Sequence, residues 1–123
     1  MKRTIYLVDP AGGGIVEQPG LIVVQHKNLR EIGYIDLDPE KVTNPGELRV
    51  TQKALDLLDE QGVAFAFTNH LSGKWWNRDP EDKAENDAAL ASGGTIYNVD
   101  LKRRIMCITY PGDNTTLITS EEY

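Results

Sequence analysis

Cysteine is almost absent from this chain. A single thiol, Cys107, in 123 residues rules out an internal disulfide. No cysteine and histidine cluster has the spacing of a structural zinc site, so a reducing, cytoplasmic setting is expected, with neither a metal nor a cofactor. Long apolar runs are missing too. None approaches the roughly 20 residues that cross a bilayer, and the apolar start at residues 4–8 meets Asp9 before the hydrophobic segment of a signal peptide would be complete. Membrane insertion is therefore not expected, and residues 4–8 read as a first strand. Positive charge is in deficit: thirteen Lys and Arg face nineteen Asp and Glu, a formal charge of −6. That balance favours solubility and repels phosphate backbones at long range, which argues against general nucleic-acid binding.

Catalytic signatures are also wanting. Gly12, Gly13 and Gly14 follow a strand and could offer backbone N–H groups to a phosphate, but no further glycine spacing, Lys-Ser/Thr pair or helix follows, so a hairpin turn is the better reading. Asp9 beside them fits turn capping better than metal ligation. His26 and His70 are the only histidines, and neither has a serine or cysteine motif marking a catalytic partner. Cys107 lies between Met106 and Ile108 in an apolar run, the setting of an inert core thiol rather than a nucleophile.

The length suits one domain, residues 1–123, with a single two-layer core. Residues 21–24, Leu-Ile-Val-Val, form a continuous branched run expected to lie centrally in a sheet, covered on both faces. Residues 32–37 alternate as another strand, and Asp38-Pro39-Glu40 begins a helical turn. Thr51 can cap a helix whose buried stripe is Ala54, Leu55 and Leu58 and which Gly62 ends. Residues 63–67, Val-Ala-Phe-Ala-Phe, alternate large with small side chains, which predicts a strand. A second helix starts at Asp79-Pro80 and stops near Gly93, with Ala84, Ala88, Ala91 and Leu90 as its apolar face. Residues 95–99, 104–110 and 115–119 read as a C-terminal antiparallel β-meander. The expected class is α+β, a mainly antiparallel sheet of about five to seven strands with two helices.

Against these absences stands one concentration of chemistry. Residues 69–79 hold His70, Lys74, Trp75, Trp76 and Arg78, so both tryptophans of the chain lie among cations. Aromatic faces beside cationic groups can stack on a planar ligand, clasp an anion or anchor a protein contact. Adjacent residues of an extended segment point to opposite sides, so one of the two indoles is expected outside the core. Lys102, Arg103 and Arg104 form a secondary basic patch at a turn.

The expectation drawn from this pattern is a small acidic binding protein, for instance an accessory or inhibitor protein of a bacterium or phage. It would act through the 69–79 loop on a protein partner or a small anionic ligand. An alanine-faced helix would also permit a homo-oligomer. The competing reading is a small hydrolase or nucleotide-processing enzyme that uses His70 with a carboxylate such as Asp79 or Asp9. The absence of paired catalytic groups weighs against an enzyme.

Overall fold

Alternation of apolar and polar side chains builds the sheet. The computed structural model describes residues 2–8, 15–18, 21–24, 29–36 and 41–123, of which 15–18, 21–24 and 29 are described by their backbone. The glycine run at 12–14, Asp9, His26 and the turn at 38–40 lie outside the described residues. Strands β1 (Lys2–Val8), β4 (Leu29–Asp36), β5 (Glu47–Thr51), β6 (Ile96–Asp100), β7 (Ile105–Tyr110) and β8 (Asn114–Thr119) form one six-stranded sheet in the order β4-β1-β5-β8-β7-β6. Ile5, Leu7, Leu48, Val50, Ile105, Cys107 and Leu117 join one buried cluster on one face. On β7 and β8 the alternate residues Met106, Ile108 and Ile118 form a second, smaller cluster, as period-two side chains require.

The fold is α+β, and the sheet is mixed. Its outer pairs, β1–β4, β7–β8 and β6–β7, are antiparallel, whereas the central strand β5 runs parallel to both β1 and β8. The last three strands follow one another as neighbours, while the antiparallel pattern does not extend through the middle. Residues 21–24 form β3 (Leu21–Val24), but β3 pairs with β2 (Ile15–Gln18) in a separate two-stranded sheet. The expected central position is therefore corrected: a short apolar run looks alike in a central strand and in a hairpin. Gly46 sets the entry to β5. It takes φ +67°, and a Cβ there would stand 2.3 Å from the Asp113 carbonyl oxygen, so only glycine lets the two turns meet.

Helix α1 (Gln52–Leu71) begins as the sequence indicates, with the Thr51 hydroxyl accepting the Ala54 N–H at 3.3 Å. It does not stop at Gly62, and residues 63–67 are helix rather than strand. Val63, Ala66, Phe67, His70 and Leu71 are buried while Phe65 is exposed, which is the i, i+3, i+4, i+7 spacing of a helix face. That longer periodicity overrides the five-residue alternation. The helix breaks instead at Asp59, whose φ 62° and ψ 176° are non-helical. The Asp59 carboxylate accepts the Gly62 N–H at 2.8 Å and so caps the second half.

Helix α2 (Pro80–Ser92) has the expected ends: Asp79 accepts the Glu81 N–H, Pro80 opens the first turn, and Gly93 closes the helix in the left-handed conformation. Its inner face is not the alanine stripe. Ala84, Ala88 and Ala91 are exposed, and the helix instead buries Asn86 and leans on the core through Ala89 and Leu90. Buried hydrogen bonds, described below, set this orientation where apolar area is scarce. A final 3-10 turn (Ser120–Glu122) returns Glu122 to Thr51, whose hydroxyl donates to Glu122 Oε1 at 2.6 Å. No described helix is long and apolar enough to cross a membrane.

Candidate docking surface around Trp76

The 72–79 segment connects α1 to α2 and runs along the inner side of β6, where buried asparagines hold it. Asn98, on β6 and fully buried, accepts the Trp76 backbone N–H at 2.6 Å through Oδ1. Its Nδ2 therefore carries the protons and faces His70 Nδ1 at 3.3 Å. A backbone N–H can only donate, so the amide orientation and the histidine tautomer follow together. With Nδ1 accepting, His70 Nε2–H donates to Thr109 Oγ1 at 2.7 Å. Thr115 gives its proton to the Pro45 carbonyl at 2.9 Å, so Thr109 donates to Thr115, also at 2.9 Å. The seam joins α1, β6, β7, β8 and the turn before β5.

His70 is consequently an interior residue. Burial lowers its pKa from 6.5 to about 3, so it is neutral throughout the physiological range. The structure removes it from the surface to which the sequence assigned it, and a base acting with a nearby carboxylate has no geometric support: its hydrogen-bond partners are Asn98 and Thr109, and Asp9 lies outside the described residues. Cys107 is likewise interior, and burial pushes its thiol up.

The tryptophans divide their roles. Trp75 is half-buried, meets the His70 ring edge-on at a centroid distance of 5.8 Å, and donates its Nε1–H to Asp87 Oδ1 at 2.8 Å. It fastens the loop to α2. Trp76, also half-buried, turns its Nε1 inward, where that atom has no hydrogen-bond partner among the described residues. Its ring lies under the Arg103 guanidinium, 5.7 Å from centroid to carbon, within range of a cation–π contact.

This contact unites the two basic regions that the sequence separates. Arg103 is steadied by Asp100 at 2.7 Å. Partial burial pushes the Asp100 carboxyl up, but hydrogen bonds from the Arg103 side chain and backbone and the Lys102 backbone outweigh it and hold the group below its usual range. A cleft of about 340 Å³ opens beside the ring, lined by Trp76, Arg78, Asp82, Val99 and Leu101 among others. Lys74 and Arg78 are exposed and form no ion pair with another described residue. Lys102 and Arg104 are exposed on the same turn as Leu101, which is 73% accessible.

Sequence reasoning missed Asn77, Asn86, Asn98 and Leu101. Asn98 carried a signal, a polar residue at an inward position between Ile96 and the end of its strand. Such a residue must find partners. Among the described residues no group of three or more His, Cys, Asp or Glu side chains could hold a metal ion. The chain matches no family model, no curated protein and no solved structure.

Proposed function

We propose that this chain is a small binding protein, an accessory or inhibitor protein, that docks on a partner protein through Trp76, Arg78, Leu101 and Arg103. The observation that carries the reading is the Arg103 guanidinium over the half-exposed Trp76 ring, beside a leucine that folding leaves in water. Tryptophan and arginine next to an aliphatic anchor are the residue types that dominate protein contacts, and a rigid scaffold lowers the entropic cost of presenting them. The open cleft favours a protein segment over a sequestered small anion, because Arg103 already has a carboxylate partner in Asp100. Lys74 lies exposed on the same segment, where it can add a short-range polar contact at the rim.

The test is affinity purification of a partner with the wild-type protein, followed by titration of that partner with Trp76→Ala, Leu101→Ala and Arg78→Ala, and with Glu85→Ala as a control on the exposed face of α2. Trp76→Ala and Leu101→Ala weaken binding about tenfold or more, and Arg78→Ala about fivefold. Equal binding by all four variants discards the surface.

A further inference from the structure

Strand β6 is an outer edge of the six-stranded sheet, and two of its residues turn their peptide groups away from β7. Tyr97 is the first: its N–H and its carbonyl both meet the Asn86 side chain. In an antiparallel pair, residues that face the neighbouring strand alternate with residues that face away. Asn98 therefore exchanges main-chain hydrogen bonds with Cys107, its partner in the register, and Val99 turns its N–H and carbonyl outward again. Asn86 satisfies the outward pair at Tyr97. The pair at Val99 has no hydrogen-bond partner among the described residues. The opposite edge, β4, is blunted by a bulge and by the exposed charges of Arg30, Glu31 and Asp36, whereas the β6 register runs unbroken through Val99.

This open pair lies at the cleft beside Trp76, which Val99 and Leu101 also line. Val99 packs with the smaller cluster on one face of the sheet and Trp76 with the main core on the other, so the cleft they share straddles the strand edge. Its charges select no sign of ligand: Arg78 stands against Asp79 and Asp82, and Arg103 is held by Asp100. What the cleft leaves unmatched is one backbone donor and one backbone acceptor, set between an indole and an exposed leucine. Such a pair on a sheet edge is complementary to another extended backbone, with side-chain contacts on either side supplying specificity.

Building on the docking reading above, we propose that the partner binds by strand addition. An uncharged extended segment lies along β6, exchanges two main-chain hydrogen bonds with Val99, and packs an apolar side chain between Trp76 and Leu101. Asn86 sets the register, because its amide already occupies the edge at Tyr97 and the segment can extend only from Val99 towards Leu101. The probe is a fluorescein-labelled heptapeptide of alternating threonine and leucine, read by anisotropy. The wild-type protein binds it. Val99→Pro deletes the outward N–H without removing a bond to β7, a position where an edge strand accepts proline, and weakens binding about tenfold, while Leu101→Ala weakens it about fivefold. Hydrogen exchange of the wild-type protein reads the same contact without a substitution: the Val99 amide exchanges freely in the free protein and is protected by the peptide, whereas the Asn98 amide is protected in both states.

If Leu101→Ala weakens the peptide but Val99→Pro does not and the Val99 amide stays unprotected, the docking surface stands and strand addition is overturned. If Val99→Pro weakens it and the Val99 amide becomes protected while Leu101→Ala changes nothing, strand addition stands and the leucine anchor of the docking reading fails. A Val99 amide already protected in the free protein overturns the proposal, and protection that grows with protein concentration assigns the edge to a second copy of the chain. A peptide that does not bind the wild-type protein overturns it as well.

Discussion

The Asn86 side chain pairs with the backbone of Tyr97 as a neighbouring strand would, its Nδ2 donating to the Tyr97 carbonyl at 2.8 Å and its Oδ1 accepting the Tyr97 N–H at 3.2 Å. Asn86 Nδ2 also donates to Asn77 Oδ1 at 3.0 Å. One amide from α2 therefore closes part of the outer edge of β6 and holds the loop that carries Trp76. Sheet edges left open invite pairing with other chains.

Asn86→Ala should cost about 2–4 kcal/mol, because it strands the Tyr97 N–H and the Asn77 side-chain oxygen, while the Tyr97 carbonyl keeps the Asn77 Nδ2 donor at 3.4 Å. Urea unfolding measures the loss. Light scattering should show concentration-dependent association as the β6 edge opens. Wild-type stability in this variant would mean that the three hydrogen bonds contribute nothing net.

His70 makes stability depend on pH. Its folded pKa of about 3 lies below the ordinary 6.5, so the unfolded chain takes up a proton first as pH falls. The contribution is complete above about pH 6.5 and is lost progressively down to pH 3, on the order of 4–5 kcal/mol across the window. Denaturation curves between pH 7 and 5 avoid most carboxylate titration. Wild type should weaken there by up to about 1.4 kcal/mol per unit more than His70→Gln, which is less stable at pH 7 but flatter. Parallel slopes would show that His70 is not buried as a neutral ring.

Asp59 holds φ 62° and ψ 176° in the middle of a helix, a region that side chains other than hydrogen avoid. Asp59→Gly removes that strain and loses a cap that glycine replaces at a cost of a few tenths of a kcal/mol. The net expectation is a gain of about 1 kcal/mol, seen as a higher melting temperature. A lower melting temperature would assign Asp59 to a fold-supporting contact.

Three of the expected caps were legible because they are local, whereas the stop expected at Gly62 was not. Thr51, Asp79-Pro80 and Gly93 each act through neighbours within a few residues, and each lies where the sequence put it. Strands β7 and β8 were readable for the same reason. Residues 63–67 misled because five positions fit both periods, and only the window out to Leu71 separates them. The parallel alignment of β1, β5 and β8 depends on pairing across distant segments, which no local pattern encodes. The candidate site was half visible. Its indoles and cations stood out by composition, but the contact of Arg103 with Trp76 and the withdrawal of His70 inward are products of tertiary packing.

Asn98 grips residue 76 by its main-chain N–H, a handle that every amino acid except proline possesses. The handle fixes the backbone at this position, while the indole itself packs against the main core. Under the docking proposal, exchange of the indole changes what the surface presents and also removes packing over the core, so variants at position 76 are to be compared at matched stability.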